Sequence, residues 1–188
     1  SHHLEVIDRE LSRSDDVIQR LLELTKGESL KRTPVDLREL ATEAMAYSNV
    51  AGDYRLSVRF IPEFFAINLD RILFRQVLCN LFLNAIQAMP EGGTIKLLVE
   101  MHEDGIISMK ISDSGIGIQE KNLQKIFEPL FTIREEGVGL GLSLCRDLVT
   151  RHGGSIKAES ETGVGTTILI TLPKVVLSSE TMDDTKTI

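Results

Sequence analysis

The stretch Gln76-Val-Leu-Cys-Asn80-Leu-Phe-Leu-Asn84-Ala-Ile-Gln-Ala-Met89 decides how this chain is read. It reads as a helix that is apolar almost all round, and Pro90-Glu-Gly-Gly93 ends it. A helix of that kind is buried. Yet Gln76, Asn80 and Asn84 recur every four residues, so they line one face, one above the other. A buried amide without a partner costs roughly 1–3 kcal/mol. The amides therefore face either neighbouring backbone or a polar cleft.

Outward from this helix, Asp70 is its expected cap, and Asp36 with Glu39 forms a capping box that opens an earlier helix through about Ala51. Thr33-Pro34-Val35 reads as a short extended link. Leu56, Val58 and Phe60 alternate as a strand, and Phe65-Ala66-Ile67 as another. Ile95, Leu97, Val99 and Met101 alternate, Glu103-Asp-Gly105 turns the chain, and Ile107, Met109 and Ile111 alternate again. From Ile118 to Val138 the pattern is irregular. Gly139 to His152 is helical and Gly153-Gly154 stops it. Two strands, Ser155–Ser160 and Thr166–Leu172, flank the turn Glu161-Thr-Gly-Val-Gly165.

At the front, Leu4, Ile7, Leu11, Ile18 and Leu21, with Ser14 filling the gap, recur at spacings of three and four, the seam of a bundle or coiled coil running from Leu4 to Lys26. Ser1-His2-His3 reads as a tag remnant. Helices interleaved with strands, with hairpins late in the chain, predict an α+β protein. The expected form is a two-layer α/β sandwich, a mixed sheet covered on one face by helices and preceded by one long helix. The expected division is residues 1–30, 31–175 and a polar tail 176–188.

The 188 residues are 42% hydrophobic and 26% charged, enough for a packed core. The formal net charge of −7 argues against a sequence-independent grip on nucleic acid. Any anionic ligand must be held by local devices: backbone amides, a cation, or one or two basic side chains. Cys79 and Cys145 fall in apolar helical stretches and read as small core residues of a reducing compartment. No run reaches the ~20 apolar residues of a membrane span. The expectation is a cytoplasmic chain without direct membrane contact.

Three features suggest chemistry. Asp113 continues the apolar face of the strand Ile107–Asp113, so the strand carries a carboxylate to the end of a buried row. With Ser114-Gly115-Ile116-Gly117 behind it, it reads either as an acceptor for an exocyclic amine such as adenine's or as an ordinary strand-end turn. Gly137-Val-Gly139-Leu140-Gly141-Leu142 leads into a helix. It reads either as a loop that turns open amides towards phosphate or as a merely flexible loop. Asparagine on the opening helix offers a neutral oxygen suited to Mg²⁺, which completes its shell with water and phosphate oxygens.

Taken together and in order, these segments resemble the ATP-binding domain of two-component sensor histidine kinases, within the GHKL superfamily. Asn80-Leu-Phe-Leu-Asn84-Ala85 resembles the N box, and Asp113-Ser-Gly115-Ile-Gly117 the first glycine box. Phe127-Glu-Pro-Leu-Phe131-Thr132 resembles the F box. Gly137-Val-Gly139-Leu-Gly141-Leu142 resembles the second glycine box and Gly163-Val-Gly165-Thr166 the third. The resemblance covers roughly Pro34 to Pro173.

The resemblance implies that Asn84 coordinates Mg²⁺ with Asn80 as a polar neighbour, that Asp113 accepts the adenine amine, and that Thr166 helps fix the same ring edge. Gly115, Gly117, Thr132, Gly137, Gly139, Leu140, Gly141 and Leu142 line the ATP site. A short lid runs from about Gln119 to Val138, and Arg134 within it reaches either the γ-phosphate or solvent. GHKL hydrolases place a water-activating Glu where this chain has Asn80, so the resemblance favours phosphoryl transfer. The implied reaction passes the γ-phosphoryl of Mg-ATP to a histidine absent from this chain, for relay to a response regulator. The helix of residues 1–30 resembles part of the dimerisation and phosphotransfer bundle, which makes the full-length protein a homodimer. None of His2, His3, His102 and His152 fits the acceptor motif; His152, at a helix C-terminus, sits where a cation is favoured. Two other readings stand beside this one: a GHKL ATPase that drives conformational change, and a nucleotide-binding adaptor without kinase activity.

Overall fold

The structure is a computed structural model that describes residues 29–48, 54–62, 66–134 and 137–173. The expected helix Leu4–Lys26 and the tail lie outside the described residues. The elements, in chain order, are β1 (Thr33–Asp36), α1 (Leu37–Tyr47), β2 (Tyr54–Ile61), β3 (Ala66–Leu69), α2 (Arg71–Gln87), β4 (Gly93–Met101), β5 (Ile106–Asp113), α3 (Glu120–Leu123), α4 (Gly141–Arg151), β6 (Ser155–Glu161) and β7 (Gly165–Pro173).

Five strands form one sheet in the order β2-β4-β5-β7-β6. β2 runs parallel to β4 and the other pairs are antiparallel, so the sheet is mixed. β1 and β3 make a separate antiparallel pair in which Val35 meets Ile67, so Thr33-Pro34-Val35 is a strand rather than a simple link. The irregular span after Ile118 contains one short helix, α3.

The period-2 pattern of the strands puts one row of side chains after another against the helices. Val99, Met109, Ile170 and Ile156 make one inward row, and Leu97, Ile111, Ile168 and Ala158 the next. The following row is Ile95, Asp113, Thr166 and Ser160. The inner face thus turns from apolar to polar at one end of the sheet.

Helix α2 lies between α1 and α4 in the helical layer. Phe74, Val77, Leu78, Leu81, Phe82 and Ala85 are buried, while Ile72 and Leu83 look outward. Burying a large apolar side chain stabilises by roughly 1.5–3 kcal/mol. This helix therefore holds the two layers together more than any propensity of its own does.

Its N-terminus is a junction. Asp70 caps it by accepting from the Leu73 amide at 3.2 Å, and its other oxygen accepts from the Lys31 amide at 2.9 Å. The Asp70 amide donates to Nε2 of His152 at 3.0 Å, and Nδ1 of His152 lies 2.7 Å from the Leu148 carbonyl. An Nε2 that accepts must be unprotonated, so this histidine is neutral and donates from Nδ1. Burial pushes its pKa below the ordinary 6.5. The helix-end position that would favour a cation is overruled by the apolar surroundings, including the edge of Phe74.

Helix α1 opens as expected, with Asp36 accepting from the Arg38 and Glu39 amides. It ends at Tyr47, short of Ala51.

Candidate functional site

The polar end of the sheet, the second half of α2 and the segment before α4 enclose a cleft of about 670 Å³. That is ample for a small organic ligand. Asn80 and Asn84 of α2, Asp113 of β5 and Thr166 of β7 line it, together with Gly117, Thr132, Arg134, Gly137, Gly139, Leu140, Gly141 and Leu142. Every residue that the resemblance assigns to the ATP site lies on this wall except Gly115. Gly115 sits behind it, where a Cβ would come within 2.6 Å of the Ala88 carbonyl oxygen. The neighbouring Ile116 amide donates to that same carbonyl at 3.1 Å, which ties the loop after β5 to the end of α2.

Asp113 is half-buried and held from behind. Its Oδ1 accepts from the Gly115 amide at 2.9 Å and from the Thr166 amide at 3.3 Å. Burial raises the carboxyl pKa, and the two amides and the nearby Arg134 charge oppose the rise. Both amides fall on Oδ1, so Oδ2 is the oxygen left to meet a ligand. Ile111, Ile116, Ile118 and Ile168 give that end of the cleft apolar walls. A carboxylate oxygen beside apolar walls suits a flat heteroaromatic ring bearing an amine.

Thr166 has its hydroxyl 3.0 Å from Ser160 Oγ, and Ser160 Oγ also receives the Ile118 amide at 2.8 Å. Ser160 belongs to no motif of the sequence. The strand alternation that places it in the row of Asp113 and Thr166 is the pattern that would have found it.

The opposite end is built from helix termini and amides. Asn80 is buried and Asn84 half-exposed, both on the cleft wall. Among the described residues no hydrogen-bond partner is found for either side-chain amide. Gln76, the third member of the stripe, has a partner and is not on the wall. Helix α4 starts at Gly141 with Leu140 as its cap residue, and no side chain caps it. Leu140 is buried, so its side chain anchors the turn while the first amides of α4 stay open, with the helix dipole behind them. Gly139 has φ +74, and a Cβ there would meet the Phe131 carbonyl oxygen at 2.5 Å. Only glycine lets these two segments touch.

Among the described residues, the segment from Leu130 to Gly139 is held by few bonds. The Leu130 amide donates to the Gly139 carbonyl at 3.0 Å. Thr132 spends its hydroxyl on Arg134, accepting from the Arg134 amide at 3.1 Å, and so shapes a turn. Arg134 reaches back to α2: Nη2 donates to the Asn84 carbonyl at 3.1 Å and Nη1 to Gln87 Oε1. Burial lowers its pKa and the Asp113 charge works against that. It remains a cation, since a guanidinium keeps its proton far above neutral pH.

Mg²⁺ fits these residues. Asn84 offers an unspent amide oxygen on the cleft wall. Among the described residues no group of three His, Cys, Asp or Glu could hold a metal, so a metal here would take most of its ligands from phosphate and water, as Mg²⁺ does.

This fold and cleft define a nucleotide-binding catalytic domain of the sensor histidine kinase class. Residues 69–176 match the family described as histidine kinase-, DNA gyrase B-, and HSP90-like ATPase, and the chain belongs to that family. It is similar to the sensor histidine kinase ZraS of Klebsiella oxytoca, 37% identical over 171 residues, and to the histidine-protein kinase AtoS of Escherichia coli, 35% identical over 175. Those matches take in 89% and 91% of this chain but 37% and 29% of the relatives, so the chain spans about a third of their length. Among solved structures, the nucleotide-free catalytic domain of histidine kinase ThkA matches with a TM-score of 0.70 at 32% identity, over 77% of this chain and 97% of that one. ThkA in complex with the response regulator protein TrrA matches with a TM-score of 0.73 at the same identity, over 90% of this chain and 49% of that one. Among the described residues no helix is long and apolar enough to cross a membrane.

Proposed function

We propose that the cleft binds Mg-ATP and that the whole protein passes the γ-phosphoryl group to a histidine supplied by a part of the protein beyond this chain. Asp113 carries the reading. Its carboxylate is fixed by two backbone amides on one oxygen, and the other meets an apolar-walled slot. An adenine amine donates to it, Thr166 and Ser160 steady the same wall, and the phosphates run towards Asn84 and the open amides of α4.

Mg²⁺ bound at Asn84 would neutralise phosphate charge. Asn80, buried beside it, has no basic atom with which to activate water, so the cleft protects the nucleotide from hydrolysis while it is held. What remains for the protein is positioning and charge stabilisation. The catalytic unit is taken as residues 31–175, because β2 pairs with β4 inside the family match and α1 packs on α2. The parent protein is a cytoplasmic-facing homodimer whose phosphoryl group goes on to a response regulator; the ThkA–TrrA complex and the sensor kinase relatives support that reading.

The test is incubation of the chain with γ-labelled ATP, alone and as the full-length protein. The chain alone should bind nucleotide yet gain no acid-labile, base-stable label, because His102 is bonded to Ser108 and His152 is buried. The full-length protein should become labelled. Stoichiometric label on this chain, lost on replacing His102 or His152, would contradict the proposal.

A further inference from the structure

Gln87 belongs to the last turn of α2, three residues beyond Asn84 and so on nearly the same face. Its Oε1 accepts from Arg134 Nη1, while Nη2 of the same guanidinium bonds the Asn84 carbonyl. These contacts place a lid cation beside the residue whose side-chain amide looks into the phosphate end of the cleft. Arg134 therefore takes the Asn84 backbone carbonyl, while the Asn84 side-chain amide stays open to the cleft. Arg134 sits only three residues before Gly137 and five before Gly139. With Gln87 gone, one carbonyl would be its remaining side-chain partner among the described residues.

We propose that Gln87 is a positioning residue that pins the lid arginine next to Asn84, so that the cation is in place for the terminal phosphate of a nucleoside triphosphate. The inference rests on the Mg-ATP reading of the cleft. A guanidinium carries five donors, and α2 takes two. The others are available to phosphate oxygens without breaking the contact to Gln87. The effect falls on the third phosphate, since a diphosphate ends one group short of that corner. Gln87 thus contributes to preference for ATP over ADP by placing Arg134.

The test is a double-mutant cycle on nucleotide affinity together with amide exchange in the nucleotide-free chain. Gln87→Ala should weaken Mg-ATP about tenfold, the scale of a charge-assisted hydrogen bond, and Mg-ADP about twofold or less. Arg134→Ala should do the same, and adding Gln87→Ala to it should cost nothing further, because both act through one group. Gln87→Glu should hold the arginine more firmly but neutralise it, giving slower exchange at the Arg134 and Gly137 amides together with weaker ATP binding. Additive losses in the cycle, or equal losses for ATP and ADP, would overturn the proposal. If the unaltered chain binds neither nucleotide, the Mg-ATP reading fails instead. The contact is then still tested by exchange at Arg134 and Gly137, which must quicken in Gln87→Ala, and unchanged exchange there overturns the latch by itself.

Discussion

Asp113 and Arg134 line one cleft and are held in different ways. The carboxylate stands at the end of a sheet strand, with two backbone amides on one oxygen and the register with Thr166 behind it. The guanidinium hangs on a segment between Thr132 and Gly139, and it is placed by a side-chain amide and one helix carbonyl. One of the carboxylate's partners, Thr166, belongs to the ladder that makes the sheet, and the other, Gly115, sits in a loop tied to the end of α2, so moving Asp113 disturbs both layers. The arginine's partners belong to another element, so moving Arg134 breaks two hydrogen bonds and little else. A domain that must admit a nucleotide, hold it and release it needs a rigid end to recognise the base and a movable one to close on the phosphates.

The largest expected effect comes from disturbing the rigid end. Asp113→Asn should lower ATP affinity by about 2–3 kcal/mol, since a hydrogen bond to a charged group is lost and an amide can present a donor instead. Thermal unfolding should shift little, because the Asn carbonyl can still accept from Gly115 and Thr166. A fall in melting temperature as large as the fall in affinity would show that Asp113 serves the fold rather than the ligand.

Next in size is Asn84→Ala, which should abolish the part of ATP affinity that depends on Mg²⁺. Alanine suits a helix and the lost amide faces the cleft, so the fold should persist. If Mg²⁺ strengthens the binding of an ATP analogue equally in the variant and the parent, Asn84 is not the metal's ligand.

A third experiment compares the two ends directly. Hydrogen exchange at Leu130, Phe131, Arg134 and Gly137 should slow several-fold on adding Mg²⁺ and a non-hydrolysable ATP analogue, whereas exchange along β5 up to Asp113 should hardly change. Equal slowing at both ends would erase the distinction between rigid end and lid.

The smallest effect concerns the junction under α2. His152 is neutral in the folded chain with its pKa below 6.5, and Arg32, Arg151 and Asp70 are the charged groups around it. An unfolded chain takes up that proton more readily, so the stability contributed is complete above about pH 6.5 and is lost as pH falls below it. Protonation would remove the acceptor of the Asp70 amide. Denaturant unfolding between neutral and mildly acid pH should show this decline, and His152→Gln should flatten it. An unchanged pH slope in that variant would remove His152 from the account.

Much of this was legible in the residues. Strand alternation gave β4, β5, β6 and β7 within a residue or two, because a one-residue slip would have turned the apolar rows to solvent. The same alternation carried Asp113 to its place. The caps Asp36 and Asp70 were readable because a side-chain oxygen before a helix has few other uses. Contacts between distant segments were not readable. Gln87 extends the amide stripe of Asn80 and Asn84 by three residues, but only the fold brings Arg134 to it across 47 positions. The sequence places His152 at a helix end, where a cation is favoured, and shows nothing of the burial that keeps the ring neutral. The sequence pattern predicts an α4 start at Gly139, two residues early, since Gly139 and Leu140 belong to the turn that supports the helix.

The central claim is that the cleft recognises an adenine amine at Asp113 Oδ2. Titration calorimetry of the chain with Mg-ATP and with Mg-GTP tests it most directly, because GTP presents a carbonyl where ATP presents the amine. The account predicts ATP binding with GTP at least tenfold weaker, as two acceptors are brought face to face. Equal affinities for the two nucleotides would contradict it.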